Sequence, residues 1–252
     1  MQSNGHQERE RERENVPTES EFDVFADEYT ALHTRNIALS GEDSGFFAAY
    51  KVADVADLCR REGIVPQAIL DFGAGIGNSV PFFRSAFPDA EIVCADVSEK
   101  SLAVAAQRFP GQARLVRIED ALPFEDASFD LVFTACVFHH IPPEDHAAVL
   151  LEQKRVLRPG GRLVIFEHNP MNPLTVHAVN TCPLDANAIL IRASVMAARL
   201  RKAGLAVRAV RYRLFFPHCL RALRRLEPLL TSVPLGAQYY IEAEQPEPFF
   251  CP

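Results

Sequence analysis

The six cysteines of this 252-residue chain form no C-x-x-C pair. Without such pairs they indicate neither a zinc site nor a disulfide framework, and we expect reduced thiols in a cytoplasmic protein. These cysteines are Cys59, Cys94, Cys136, Cys182, Cys219 and Cys251. The histidines also lack ligand spacing with one another or with cysteine, so we predict no metal site.

Basic charge is scarce as well. The chain has 26 lysines and arginines against 33 acidic residues, a net charge of −7, and we expect no nucleic-acid partner because phosphates require a basic face. No apolar run reaches the roughly 18 residues of a membrane span, and the polar N-terminus does not resemble a secretory signal. Arginine and leucine mix in residues 220–226, which could touch a membrane surface, but we favour an ordinary helix with a solvated basic face.

The chain divides into three segments. Residues 1–20 are polar and contain an alternating run of Glu and Arg at 8–14, which predicts a disordered charged tail. Residues 21–63 carry apolar side chains at helical spacing and predict an N-terminal helical cap. Residues 64–252 form the main domain, in which we interpret the Asn- and Pro-rich insert at about 170–187 as a long irregular loop.

Short apolar strands alternate with helices along this main domain. The predicted strands are residues 68–72, 91–95, 114–118, 129–137, 162–167, 206–215 and 238–243. The predicted helices include 99–109, 144–157, 188–203 and 219–230. This order favours an α/β fold with a parallel sheet buried on both faces, and the last two strands could form an antiparallel pair at one edge.

The strongest functional signal is a glycine-rich turn, Asp-Phe-Gly-Ala-Gly-Ile-Gly-Asn, between a predicted strand and a helix. Glycine there permits a tight turn and lets a ligand approach the backbone. An asparagine stands where a dinucleotide fingerprint requires its third glycine. The leading aspartate suits the ammonium of an amino-acid cofactor but would repel a pyrophosphate. The candidate cofactor-binding residues are Asp71, Phe72, Gly73, Gly75, Gly77 and Asn78.

Acidic side chains also follow the next two strands. Asp96 ends the second strand, where a carboxylate can accept hydrogen bonds from both ribose hydroxyls, and we expect it to contribute little to folding. After the third strand, in Glu119-Asp120-Ala121, Asp120 could accept from the adenine amine while the Ala121 N–H donates to the ring. Ligands gather at the carboxyl ends of strands in such sheets, so we favour these contacts over a simple turn.

Together with Ser-Phe-Asp-Leu-Val at 128–132 and Leu-Arg-Pro-Gly-Gly-Arg-Leu at 157–163, these residues resemble the class I S-adenosylmethionine (SAM)-dependent methyltransferases, most closely the ubiquinone/menaquinone-type branch. The resemblance implies a Rossmann-like seven-stranded sheet with its last strand antiparallel. It also implies SAM as cofactor and a substrate-specificity role for the insert. Asp71, Gly73 and Gly75 would then hold the methionine end, while Val97 would pack on adenine. Cys136 and Val137 would line the sulfonium side.

Three histidines are candidate catalytic residues for the acceptor. His139 and His140 follow the fourth strand, and His168 follows the fifth. A hydroxyl acceptor benefits from a general base, and each histidine could also be a structural residue. Since neighbours at a strand end point to opposite sides, we expect only one of His139 and His140 to face the site.

Other residues are candidates for binding the acceptor, a small organic molecule. Several are aromatic or histidine residues of the cap, for which core packing is the alternative role. The others follow the fifth strand or lie in the insert. The candidates are Tyr29, His33, Phe46, Tyr50, Glu167, Asn169 and His177.

The sequence therefore predicts a SAM-dependent methyltransferase acting on a small organic acceptor. We expect O-methylation, with carbon and nitrogen acceptors left open. Two alternatives are an NAD(P)-dependent Rossmann oxidoreductase, which Asp71 and Asn78 disfavour, and a catalytically silent SAM-binding regulatory protein.

Overall fold

The computed structural model describes residues 41–247, in which a seven-stranded sheet is flanked by helices. The strands are β1 (Ala68–Phe72), β2 (Glu91–Asp96), β3 (Arg114–Arg117), β4 (Phe129–Ala135), β5 (Leu157–His168), β6 (Ala206–Arg213) and β7 (Gln238–Glu244). The α-helices are α1 (Ser44–Glu62), α2 (Val80–Ala86), α3 (Glu99–Arg108), α4 (His146–Val156), α5 (Pro173–Thr181), α6 (Ala193–Lys202) and α7 (Glu227–Leu230). Three 3₁₀ segments span Phe138–His140, Pro183–Asp185 and His218–Leu226.

The sheet has the strand order β3-β2-β1-β4-β5-β7-β6. Neighbours from β3 through β5 pair in parallel, whereas β7 runs antiparallel to both β5 and β6. This order confirms the predicted parallel sheet with an antiparallel pair at one edge. Because β1 and β4 are central neighbours, their carboxyl ends meet, as in other doubly wound folds that bind ligands there.

Apolar side chains cover both faces of the sheet. On one face, Leu70 and Val132 pack beneath α4 and α6; on the other, Phe133 packs against Phe83 of α2. The helix α1 joins this second core through Val55 and Leu58. The helix α1 begins after Asp43, whose carboxylate accepts a hydrogen bond from Phe46 N, and it ends at Gly63, which has a φ of 68°. Both ends of α1 are therefore capped.

The structure corrects several predicted elements. The insert is mainly the helix α5, because Asn172 caps its N-terminus through Leu174 N and Thr175 N and Pro173 occupies its first turn. The strand β5 starts at Leu157 and runs through the Pro-Gly-Gly turn. The helix predicted at 219–230 is a 3₁₀ segment followed by the short α7, and α6 starts five residues later than predicted.

The charged tail and the first part of the cap lie outside the described residues, as do Tyr29 and His33. Within residues 41–247, no helix is long and apolar enough to cross a membrane.

Candidate active site

A cavity of about 720 Å³ opens at the carboxyl ends of β1, β2, β4 and β5. Its volume is in the range of pockets that hold a cofactor or a small ligand. The glycine-rich turn and three histidines both line this cavity, together with aromatic side chains that include Phe46, Phe47 and Phe216. The part beside the glycine-rich turn is called the cofactor end below, and the part beside the histidines the acceptor end.

The glycine-rich turn lies against the end of β4. Gly73, Gly75 and Gly77 have φ values of 71°, 52° and 75°, a region in which side chains are strained. A Cβ atom on Gly73 would lie 2.4 Å from a methyl group of Val137. Glycine is therefore required here for the backbone to pass Val137, and the turn stays open toward the cavity.

Asp96 fixes this turn as well as facing the cavity. One carboxylate oxygen accepts from Gly75 N at 2.7 Å and the other from Ser98 N at 2.9 Å. Its side chain is buried, so the expectation that it contributes little to folding was wrong. The carboxylate holds the turn between the first two strand ends because each oxygen serves a different backbone segment.

Asp71 is a buried carboxylate on the cavity wall. Its Oδ2 has no hydrogen-bond partner among residues 41–247. Burial and the nearby charge of Asp96 raise the pKa of Asp71 to about 7, although Lys51 and Ser79 act in the opposite direction. A carboxylate with an unused buried acceptor fits a ligand that brings a cation or a hydrogen-bond donor, such as the ammonium of SAM.

Lys51 is a cavity residue that the sequence analysis missed. Its Nζ lies 3.3 Å from the Sγ of Cys136, and its side chain is buried. Burial alone would raise the pKa of Cys136, but the charge of Lys51 and the interaction with His168 lower it to about 6. The signal was present in the sequence, because Lys51 falls on the same helical stripe as Ala48, Val52 and Val55.

The predicted histidines come together at the other end of the cavity. The ring centroids of His139 and His140 are 4.1 Å apart, and those of His139 and His168 are 5.1 Å apart. All three line the cavity. The expectation that only one of the first two faces the site was wrong, because Phe138–His140 is a 3₁₀ turn rather than an extended strand end.

Glu167 lies beneath this cluster and is fully buried. Its Oε2 is 2.6 Å from Nδ1 of His139, and its Oε1 accepts from Val137 N at 3.1 Å and Phe138 N at 2.7 Å. Burial alone would raise the pKa of Glu167, but the charge and hydrogen bond of His139 hold it below its usual range. The carboxylate therefore orients His139 rather than lining the cavity.

The pKa values of the two adjacent histidines are shifted in opposite directions. Burial alone would lower the pKa of His139, but Glu167 and Asp185 raise it to about 10. Burial and the charge of His139 lower the pKa of His140 to about 4. The sequence analysis also missed Asp185, which lies in the 3₁₀ turn after α5. No sequence pattern in the insert distinguished this aspartate.

Several other candidates line the cavity as predicted: Phe72, Asn78, Val97, Phe46 and His177. Others do not line it: Gly77, Tyr50, Asn169, Glu119, Asp120 and Ala121. For three of these residues, contacts elsewhere in the structure explain their position. A Cβ on Gly77 would contact Ala105 and Phe109, the Tyr50 hydroxyl donates to Gln238, and the Asn169 amide donates to the carbonyls of Pro234 and Gly236.

Residues 119–121 are exposed just beyond β3. Ile118, which precedes them, does line the cavity. Adenine contacts by Asp120 and Ala121 therefore stay a prediction.

Comparisons with known proteins agree with this geometry. Residues 70–165 match the family model described as a methyltransferase domain. Over 109 residues the chain is 38% identical to a demethylmenaquinone methyltransferase of Thermus thermophilus, covering 42% of this chain and 49% of the relative. Over 107 residues it is 38% identical to a malonyl-[acyl-carrier protein] O-methyltransferase of Methylococcus capsulatus, covering 41% and 38%. The chain thus spans about half or less of these relatives' length.

The fold is shared more widely. A phosphoethanolamine N-methyltransferase 2 of Haemonchus contortus, solved in complex with SAM, superposes with a TM-score of 0.62 at 17% identity, covering 90% of this chain and 60% of the other. The matched segment, 70–165, holds the glycine-rich turn, Asp96 and two of the three clustered histidines. From the domain match, the relatives and the sheet order, we conclude that this chain carries a class I SAM-dependent methyltransferase domain.

Proposed function

We propose that this chain transfers the methyl group of SAM to an oxygen of a small organic acceptor. The observation that carries the proposal is a single cavity with the glycine-rich turn at one end and three clustered histidines at the other. Transfer from a sulfonium is an in-line displacement, and holding donor and acceptor in contact lowers its barrier. The cavity has the two ends that such an arrangement requires.

Chain residues suit each part of the cofactor. The free acceptor atom of Asp71 fits the methionine ammonium, and the backbone of Gly73 and Gly75, which carries no side chain, leaves room for the methionine end. Asp96 reaches the ribose, and Val97 presents an apolar side chain, 46% exposed, for the adenine. SAM would supply the electrophilic methyl group.

The cavity wall combines aromatic side chains with the polar histidines. Phe46 and Phe47 meet edge to face at a centroid distance of 5.6 Å, and they line the cavity with Phe216. Such a wall favours a planar or acyl group over a strongly hydrated one. The histidines suit an acceptor that gives up a proton, and the choice of oxygen rests on the benefit that a hydroxyl of high pKa gains from a general base.

The first test is cofactor choice. We expect SAM and S-adenosylhomocysteine to bind with a dissociation constant on the order of micromolar, near ordinary substrate affinities, and NAD to show no saturable binding. Isothermal titration calorimetry on the full chain measures all three. Release of S-adenosylhomocysteine with a panel of hydroquinones and acyl carboxylates then tests turnover. Tight NAD binding without SAM binding would overturn the proposal, and SAM binding with no turnover across a broad panel would favour the silent alternative.

A second test is Asp96→Asn. The substitution removes the charged acceptor for the ribose hydroxyls, and we expect SAM affinity to fall by about 1–3 kcal/mol, or roughly 5- to 150-fold. Because the carboxylate also holds Gly75 N and Ser98 N, the melting temperature should fall as well. The matched control is Asp126→Asn, whose side chain is 80% exposed and pairs with Arg155 on the surface. Equal SAM affinities for the two variants would refute the ribose assignment.

A further inference from the structure

Three side chains at the acceptor end converge on one point. Nε2 of His139 lies 3.6 Å from Oδ1 of Asp185, and Nε2 of His140 lies 3.5 Å from the same oxygen. The three atoms all lie within 4.8 Å of one another. All three residues line the cavity, so the point is open to a bound acceptor.

Two of these separations, those to the Asp185 oxygen, are near the edge length of a metal coordination shell. Ligand atoms about 2.0–2.1 Å from a tetrahedral ion are about 3.3 Å from each other. The two measured separations are only slightly longer. They are longer than strong hydrogen bonds, and one carboxylate oxygen faces both imidazoles.

A second layer orients the cluster in the way metal sites require. Imidazole ligands commonly donate their other ring nitrogen to a carboxylate, which fixes the ring. His139 has this arrangement, with Nδ1 2.6 Å from the buried Oε2 of Glu167. Glu167 is itself fixed by the N–H groups of Val137 and Phe138. His139 is therefore held with its Nε2 directed to Asp185.

We propose that His139, His140 and Asp185 bind one divalent transition-metal ion such as Zn²⁺, which takes the place of the proton on Nε2 of His139 and releases it to solvent. The two carboxylates, Glu167 and Asp185, supply the negative charge that stabilises a cation in a buried setting. Two imidazole nitrogens and one carboxylate favour zinc, iron, cobalt or manganese over magnesium and calcium, which prefer oxygen ligands. Three protein ligands leave a coordination position for the acceptor.

The catalytic role of this ion rests on the proposed function, whereas binding of the ion can be tested independently of that function. An ion at this position would bind an acceptor oxygen and lower the pKa of its hydroxyl, as Lewis-acid sites do. The hydroxyl proton would pass to solvent. The new carbon–oxygen bond would form as the methyl carbon leaves the sulfonium, giving a methyl ether and S-adenosylhomocysteine.

The test is metal binding by the full chain after treatment with a chelator. Calorimetric titration with ZnCl₂ should show one saturable site, and Co²⁺ should give visible absorption bands typical of nitrogen and oxygen ligands. His140→Ala and Asp185→Asn should each weaken Zn²⁺ binding by more than about 100-fold, since even loss of a group behind a ligand costs about 10- to 100-fold. Glu167→Gln should weaken Zn²⁺ binding by about 10- to 100-fold.

Two variants serve as matched controls. His177→Ala removes a histidine from the same cavity, and Cys136→Ser removes a thiol that could bind zinc; both should keep the site. S-Adenosylhomocysteine titration of every variant reports folding and tests the cofactor proposal separately. The metal proposal is wrong if folded protein that binds S-adenosylhomocysteine takes up neither Zn²⁺ nor Co²⁺. It is equally wrong if uptake persists in both His140→Ala and Asp185→Asn, or disappears only in Cys136→Ser.

Discussion

Glu167→Ala is expected to lower the free energy of unfolding by about 3–5 kcal/mol, the usual cost of removing one partner from a buried ion pair. The substitution leaves the His139 ring without its carboxylate and the N–H groups of Val137 and Phe138 without an acceptor. All of these groups lie away from solvent. For a domain of this size the melting temperature should fall by roughly 6–20 °C, measured by circular dichroism or urea unfolding.

Two comparisons make this result specific. Glu167→Gln keeps an oxygen for the backbone N–H groups but loses the charge beside His139, so about 1–3 kcal/mol should be lost. Glu99→Ala breaks the surface pair with Arg117, where both side chains are more than half exposed, and should cost at most about 1 kcal/mol. If Glu167→Ala were no more destabilising than Glu99→Ala, Glu167 would not organise the histidine cluster.

The sheet could be predicted from sequence because its strands are short apolar runs in a chain whose helices follow a different period. Residues 68–72 are buried without exception, which is typical of a central parallel strand. The boundaries were less predictable. Proline and glycine in residues 159–161 indicated a turn, yet this segment extends β5, with its Gly160 N donating to the carbonyl of Gln245.

The insert was misread for a related reason. Asparagine and proline are common in loops, but the same residues begin helices when asparagine caps and proline takes the first turn. Asn172 and Pro173 have these roles in α5. The distinction lies in which backbone N–H groups the asparagine side chain meets, and composition alone does not contain that information.

The cofactor end of the site was predictable because it is encoded in one continuous turn and one strand end. The acceptor end is built from side chains far apart in sequence. Lys51, Glu167 and Asp185 come from α1, β5 and the turn after α5, and only the fold brings them near His139 and Cys136. The prediction of no metal site relied on ligand spacing along the chain. Such spacing does not detect side chains that are distant in sequence and come together only in the fold.

The adjacent pair His139-His140 shows how a local change of backbone alters a functional prediction. Had the chain continued as a strand, the two rings would have pointed to opposite faces. In the 3₁₀ turn Phe138–His140 both rings line the cavity. Without a metal ion, Glu167 and Asp185 raise the pKa of His139, whereas burial and the neighbouring His139 lower the pKa of His140. Of the three predicted bases, His139 is therefore the least suited to accept a proton from the acceptor.

His168→Ala is expected to lower turnover by roughly 100- to 10,000-fold, the range for loss of a general base, with SAM affinity changed by less than about two-fold. His168 ends β5 and lines the cavity near Cys136, and its Nδ1 lies 3.5 Å from Nε2 of Gln238. No carboxylate forms an ion pair with His168 in the part of the chain that the structure describes, which leaves this imidazole able to act on an acceptor hydroxyl.

The measurement is the rate of S-adenosylhomocysteine release with an acceptor identified in the panel, alongside calorimetric titration of SAM. His218→Ala is the matched control, because the His218 side chain is 46% exposed and does not line the cavity, so turnover should stay within a few-fold of the original. His168→Gln separates two roles, since glutamine keeps hydrogen bonding but accepts no proton. Recovery of turnover in His168→Gln would show that His168 positions the acceptor rather than accepting its proton. Unchanged turnover in His168→Ala would contradict the prediction, and catalysis would then rest on proximity and on the other groups that line the cavity.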